Sequence, residues 1–502
     1  MIIELDVLII GSGAGGGTVA DRLRPLAKAG AKIAIAESGP HYTRDYFTQR
    51  EIEMMGLLWH NGAWPTADGT VTLAAGRTVG GSTTMYTGVS FRLPDEVYDD
   101  WNIPGINKED MTPRFERIEK ECNVIEPGPE MINDNNRLFK EGCDKLGWEI
   151  EKIKLNLRDC DQNGFCNLGC VKGGKQGTLE VQIPKAVQAG IQLIPNCHIE
   201  RIEENNAYGV ISSTPPGTKD GPYPAGKVEF RARTIVLSAG CPGTPALLMR
   251  SSLDGISEVL GRYITIHPAL TVYGIYPSPI KNYRGFPKTY YTPRFSKSHH
   301  YYIETAFYYP FISTKHLGLW GKKLKDVMRC YPRFMSAIIL NHDEAKADNC
   351  IILKKGSPVL NYKISRETVR ALAHAQAQTA RIFFSAGCEK VVMPFAKKPV
   401  FGREIADADL ENFITEKGYV PNLAPLATAH PQGGAKMGID PRSSVTDPFG
   451  QVHGYTSLYV ADASLFPKSS HVNPYMTIMA LAERVAEKIL EKEKVSSSNP
   501  SN

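Results

Sequence analysis

The chain opens on apolar, largely β-branched residues, "DVLIIG", then turns through glycines and resumes with apolar positions at helical spacing in "GAGGGTVADRL". That order predicts a strand, a tight turn and a helix. A second apolar run, "KIAIAESG", predicts another strand ending at Glu37. Between residues 263 and 420 the glycine-turn-helix pattern stops. Aromatic and β-branched segments take its place, and "ALTVYGIYP", "HHYYIETAFYYPF" and "SAIILNHD" predict strands of a second domain. "RETVRALAHAQAQTARIFFSAG" carries alanines and apolar residues at the spacing of an amphipathic helix. The polar tail "EKVSSSNPSN", residues 493–502, predicts disorder.

Composition narrows the class without changing it. A chain of 502 residues with 42% hydrophobic and 22% charged positions is an α/β-like globular protein of roughly two or three domains. The net charge of +5 is spread among 58 basic and 53 acidic residues, so nothing marks a nucleic-acid footprint. The basic stretch "GKKLKDVMRCYPR" reads as a solvated face. No charged leader with a cleavage site precedes the first strand, and no apolar run reaches membrane-spanning length, so the expected location is the cytoplasm, with no transmembrane segment. Thiols stay reduced there, so ten cysteines do not predict a disulfide framework.

Candidate chemistry begins at the first turn. Gly11, Gly13 and Gly16 stand at G-x-G-x-x-G spacing. The first permits the turn, the second admits a pyrophosphate to the backbone, and the third lets helix and strand approach, with phosphates at the helix N-terminus. Glu37 then offers a carboxylate to an adenosine ribose. The bland alternative is a flavodoxin-like turn with no ligand. A second glycine block, "AAGRTVGGSTTMYTGVSFR", carries Gly76, Gly80, Gly81 and Ser82, whose N–H groups and hydroxyl suit a phosphate or a flavin ring. Alone it would be a glycine-rich surface loop.

With "SAGCPGTPALLMRS" and the C-terminal "AHPQGGAKMG…VADASLFPKSSHVNPYMT", these blocks resemble the glucose–methanol–choline (GMC) oxidoreductase family over nearly the whole chain. The resemblance implies a Rossmann-like FAD-binding domain (1–95, 165–262 and 420–492) and an inserted substrate or cap domain of antiparallel β-sheet plus helix (96–164 and 263–419). It implies oxidation of an alcohol to the carbonyl by hydride transfer to flavin N5, in a dehydrogenase that passes the electrons to a carrier. His430 matches the family's catalytic histidine and Asn473 its second pair member. Histidine titrates nearest neutral pH, which suits a general base. His471 is a neighbouring candidate for a supporting or flavin-edge place. Arg77, Gly80, Gly81, Ser82, Ile199, Asp462, Asn473 and Pro474 match positions around the cofactor. Met85 stands where some members carry a histidine linked to FAD, which implies noncovalent FAD. Ala435 replaces a cysteine common among relatives. Alternatives within the family are an oxygen-using oxidase and a hydroxynitrile lyase with structural FAD. The aromatic content of 270–335 leans slightly toward a hydrophobic or aromatic alcohol.

"CDQNGFCNLGC" places Cys160, Cys166 and Cys170 at x5/x3 spacing. Three readings stay open: an iron–sulfur site, a zinc site completed by Cys197 or His198, and a loop of reduced thiols. The spacing resembles that of sugar dehydrogenases of the family, whose three-iron cluster implies electrons leaving to a partner protein or small subunit. A cysteine-rich loop followed by a stretch like "GGKQGT" also resembles the fatty-alcohol oxidase branch, where no cluster is implied.

Overall fold

The computed structural model describes every residue except 61–62, 252, 395–398, 406–408, 415, 417–424 and 499–502. Ile2–Ile10 runs through the middle of a seven-stranded sheet, parallel to Gly226–Leu237 on one side and Ile33–Ala36 on the other. A strand held between parallel neighbours is covered on both faces, which explains its near-continuous apolar run; Val7, Leu8 and Ile9 are fully buried. Gln192–Ile194 and Leu458–Val460 extend the parallel part, and Asn206–Ile211 and Cys197–Glu203 add an antiparallel edge. Helix Ala14–Arg22 packs against the long C-terminal helix Tyr475–Ser498.

The second sheet has ten strands and is almost wholly antiparallel. Its centre is Ala269–Ile275, flanked by Phe334–Asn341 and Leu426–Thr428, with Tyr301–Thr305 and Tyr290–Thr292 beyond. Helix Arg366–Ala386 joins the core of this sheet through Leu372, Ala375, Ile382 and Phe383. Ser365 caps it, accepting the Thr368 N–H at 3.1 Å, and Gly387 ends it in the left-handed region at φ 111°. The amphipathic segment read from the sequence is this helix.

Three boundaries differ from expectation. Helices Asp95–Trp101 and Lys108–Glu121, expected with the substrate domain, bury Val97, Trp101, Phe115 and Ile118 in the core of the first sheet. Val71–Leu73 and Leu426–Thr428, expected with the nucleotide-binding segments, pair in parallel inside the second sheet. Their short apolar runs say nothing about which sheet they join. The tail is helical as far as Ser498, and 499–502 lie outside the described residues. The basic stretch forms the helix Gly321–Met328, where Lys322 reaches into solvent and pairs with Asp326. Among the described residues, no helix is long and apolar enough to cross a membrane.

Candidate active site

The two glycine turns meet face to face. Gly11, at φ +104°, passes so near the neighbouring strand end that a Cβ would stand 2.2 Å from the Ser238 carbonyl oxygen. Gly13 is different: its φ is −67° and a Cβ would meet only Gly81 Cα, at 3.9 Å. At Gly16 a Cβ would stand 2.0 Å from the Gly11 oxygen, as close helix–strand packing requires. At Gly15, which lies outside the G-x-G-x-x-G positions, a Cβ would stand only 1.7 Å from the Ala461 oxygen. In the second turn Gly80 and Gly81 adopt φ +88° and +52°; the Gly80 N–H donates to Ser12 Oγ and the Gly76 N–H to Ser82 Oγ, each at 3.0 Å.

Glu37 ends its strand as expected, but its oxygens are already engaged. The Ser12 N–H and hydroxyl donate to Oε2 at 3.0 and 2.6 Å, and the Gly39 N–H donates to Oε1 at 2.7 Å. Burial raises its pKa. Asp462 Oδ2 accepts the Gly240 N–H and the Thr244 hydroxyl at 2.8 and 2.6 Å, and Oδ1 accepts the Ser464 N–H. That carboxylate ties the C-terminal segment to the start of helix Gly243–Ser251.

A cavity of about 1270 Å³ runs from Glu37 and Ile199, past Gly13, Gly81 and Ser82, to His430 and Asn473. Arg77, Met85, Asp462 and Pro474 also line it, while Gly16 and Gly80 act from behind the wall. Backbone N–H groups bare of side chains form its waist, so the donor set fits a dinucleotide.

His430 follows strand Leu426–Thr428, and its backbone N–H donates to Thr428 Oγ1 at 3.1 Å. Its Nε2 lies 3.4 Å from Asn473 Nδ2. Its Nδ1 lies 3.2 Å from Nδ1 of His267, with the rings nearly perpendicular at 85°. Burial, then the positive charge of Lys288, pushes the His430 pKa down to about 3. His267 Nε2 faces Ser469 Oγ at 2.7 Å and Gln432 Nε2 at 3.1 Å; burial and the neighbouring His430, His342 and His471 hold its pKa well below the ordinary range. Sequence reasoning missed His267. Its only mark is a His-Pro pair before a strand, like the His430–Pro431 pair.

His471 lies outside the cavity lining. Its ring stacks on His342, centroids 4.7 Å apart. The backbone between 471 and 473 turns the two side chains apart, with His471 itself at φ +59°. Ala435 is fully buried behind the cavity wall, its N–H donating to the Ser464 oxygen, so the exchange for cysteine leaves the cavity lining unchanged.

The three cysteines do not form the metal site that was one expectation. Among the described residues no three His, Cys, Asp or Glu side chains converge as ligands, and Cys197 and His198 lie on the cleft strand instead of completing the loop. The chemistry explains it. Without a metal, burial raises the pKa of Cys160 and pushes that of Cys166 up to about 12, so both stand as thiols. Lys175 brings its own cation into the loop. Its Nζ donates to the Thr84, Tyr86 and Cys166 carbonyls at 2.8, 2.8 and 2.6 Å, using all three donors. The loop thereby braces the second glycine turn.

Two family models, both described as GMC oxidoreductase, match residues 50–269 and 346–482. A long-chain-alcohol oxidase of Arabidopsis thaliana is 27% identical over 96% of this chain and 68% of that protein. A cholesterol oxidase of Mycobacterium tuberculosis is 24% identical over 96% of this chain and 90% of its own length. Among solved structures, pyridoxine 4-oxidase from Mesorbium loti superposes with a TM-score of 0.71 at 17% identity, covering 97% of this chain and 99% of that one. A formate oxidase of Aspergillus oryzae gives 0.71 at 16% identity over 98% and 99%. The two solved structures share the fold.

Proposed function

The chain belongs to the GMC oxidoreductase family and is an oxidoreductase acting on CH–OH donors, and on that premise we propose that it oxidises an alcohol to the carbonyl with noncovalent FAD and His430 as base. The observation that carries this reading is the His430–Asn473 pair at one end of a cleft whose waist is two opposed glycine turns. FAD, when bound, takes the hydride from the alcohol carbon and passes the electron pair to an acceptor. Gly13 and Gly81 leave their backbone bare for the pyrophosphate, and Glu37 and Ile199 lie at the adenosine end. Met85 offers a thioether where a histidyl link would form, so the cofactor is held without a covalent bond.

His430 and Asn473 converge on the substrate oxygen, Asn473 orienting it by hydrogen bonding. The proton on the His430–His267 pair has two settings. Gln432 Oε1 accepts the Ser470 N–H at 2.9 Å, which turns Gln432 Nε2 toward His267 Nε2 and favours a proton on His267 Nδ1, donated to His430 Nδ1. Deprotonating the alcohol needs the other setting. In that setting each ring is the opposite tautomer and still carries one proton: His430 holds its proton on Nδ1, donated to His267 Nδ1, with its Nε2 lone pair toward the cavity, and His267 holds its own on Nε2, donated to Ser469 Oγ. His267 is thus a positioning residue. His267→Phe should lower kcat by about 10- to 100-fold with KM little changed; an equal rise in KM would show instead a collapse of the pocket.

An alcohol mixed anaerobically with the yellow holoprotein should bleach the flavin absorbance. A lyase would leave it yellow, which would end this reading. Because the cysteine loop does not fit a cluster, we read the acceptor as oxygen or a soluble oxidant meeting the flavin directly. Return of the colour on admitting air, compared with a dye under argon, separates the two.

A further inference from the structure

His267 turns its ring toward His430 from a backbone that residues other than glycine seldom adopt. Its φ is +48°, in the left-handed region, directly ahead of Pro268. A residue before proline is pushed toward extended backbone, so this conformation has to be imposed from outside. Strained residues persist where their surroundings over-determine them, and they cluster at functional sites. Ser469 and Gln432 meet the far nitrogen of the ring, but the backbone turn itself is held by Asp343, two residues past strand Phe334–Asn341. Asp343 Oδ1 accepts the His267 N–H at 2.9 Å and the Ile266 N–H at 3.1 Å, and Oδ2 accepts the Ile266 N–H at 2.9 Å. Two successive N–H groups aimed at one carboxylate make an anion-holding concavity. The Tyr362 hydroxyl donates to Oδ2 at 2.7 Å, and all four residues are buried. The gripped segment reaches the other histidine as well. The Ile266 carbonyl accepts from the Thr428 hydroxyl, whose oxygen accepts the His430 N–H at 3.1 Å.

We propose that Asp343 is the positioning residue of the histidine pair, its carboxylate holding the Ile266–His267 backbone in the turn that sets His267 Nδ1 against His430 Nδ1. Its consequence for turnover rests on the alcohol-oxidising reading of the site; the contact does not. With the grip in place, His267 Nδ1 accepts from His430 Nδ1–H and the His430 Nε2 lone pair faces the cavity. Without it, His267 relaxes toward the extended backbone favoured before proline and its ring leaves His430. His430 is then free to carry its proton on Nε2, where it cannot take one from an alcohol. Neither Asp343 nor His267 lines the cavity, so substrate binding is spared.

The test uses holoprotein of the parent, Asp343→Ala, Asp343→Asn, His267→Phe and the double variant Asp343→Ala/His267→Phe, with benzyl alcohol, octanol and sorbitol as probes of anaerobic flavin bleaching. Asp343→Ala is expected to lower kcat by about tenfold or more with KM within about twofold. Asp343→Asn keeps Oδ1 as acceptor for both N–H groups and should stay within about threefold of the parent. On the His267→Phe background the alanine exchange should change kcat by less than about twofold, because its effect passes through His267. A second readout needs no substrate. In protein whose histidines carry heavy nitrogen, magnetic coupling between the two Nδ1 nuclei across their hydrogen bond should be present in the parent and Asp343→Asn and lost in Asp343→Ala. If Asp343→Ala does not fold, Tyr362→Phe, which removes the hydroxyl bonded to Oδ2, carries the same comparison with a loss of about threefold. Parent-like turnover in Asp343→Ala, losses that multiply on the His267→Phe background, KM rising in step with the fall in kcat, or a coupling that survives in Asp343→Ala would overturn the proposal. A coupling that depends on Asp343 while none of the three alcohols bleaches the flavin would overturn the alcohol-oxidising reading instead and leave the contact standing.

Discussion

Replacing His430 with alanine should lower alcohol turnover by about two to four orders of magnitude while the protein keeps its FAD. Among the described residues the side chain bonds to His267 and Asn473, neither of which holds the far end of the cleft, so cofactor retention is separable from chemistry. The pH profile sharpens the expectation. Burial and Lys288 depress the His430 pKa to about 3, and His267, which faces its other nitrogen, is depressed as well. A depressed pKa keeps the base unprotonated above it, with loss only as pH falls through it. Steady-state kcat/KM should therefore show no inflection from His430 between about pH 5 and 8. An inflection near the ordinary histidine value that vanishes in the alanine variant would sink that account, as near-normal turnover in the variant would sink the assignment of the base.

So weak a base also constrains the reaction. A histidine whose protonated form is this unfavourable cannot hold a free alkoxide's proton by basicity alone, so removal of the proton and departure of the hydride should overlap. The His267 contact assists by letting charge spread over two imidazoles, and Asn473 by fixing the oxygen. Slowing of turnover by deuterated substrate and by heavy water together in one step is the kinetic sign of that overlap.

What could be read from the chain follows from how local each signal is. The strand–turn–helix around Gly11 to Gly16, the acid at Glu37 and the capped helix from Ser365 to Gly387 declare themselves because their patterns lie within one element. His430 and Asn473 were legible only through whole-chain resemblance, since each is an ordinary residue in its own window. His267 and Lys288 were invisible, because their meaning comes from strands that meet only in the second sheet. The cysteine spacing misled for the same reason. Nothing in "CDQNGFCNLGC" reveals that Lys175 swings back to fill the loop with its own positive charge. Periodicity likewise could not tell which sheet Val71–Leu73 joins, as a strand of three residues has too few positions to carry a face.

The two glycines of the first turn should fail in opposite ways. Gly11→Ala places a Cβ 2.2 Å from the Ser238 oxygen in a backbone at φ +104°, a conformation alanine rarely adopts, so strain and overlap fall on the fold itself. Roughly 3 kcal/mol or more of stability should be lost, seen as a lower melting temperature whether or not FAD is present. Gly13→Ala meets no such obstacle, with φ in the ordinary region and the nearest atom at 3.9 Å. Its methyl enters the place where a pyrophosphate must touch the backbone. The apo-protein should melt as the parent does, while FAD affinity falls by about a hundredfold, measured by flavin fluorescence on titration. Full flavin retention in Gly13→Ala would mean that the pyrophosphate lies elsewhere in the cleft. Loss of apo stability there would mean that the turn serves packing and not the ligand. Only the combination of a stable apo-protein and lost flavin fits a turn whose second glycine is kept bare for the cofactor.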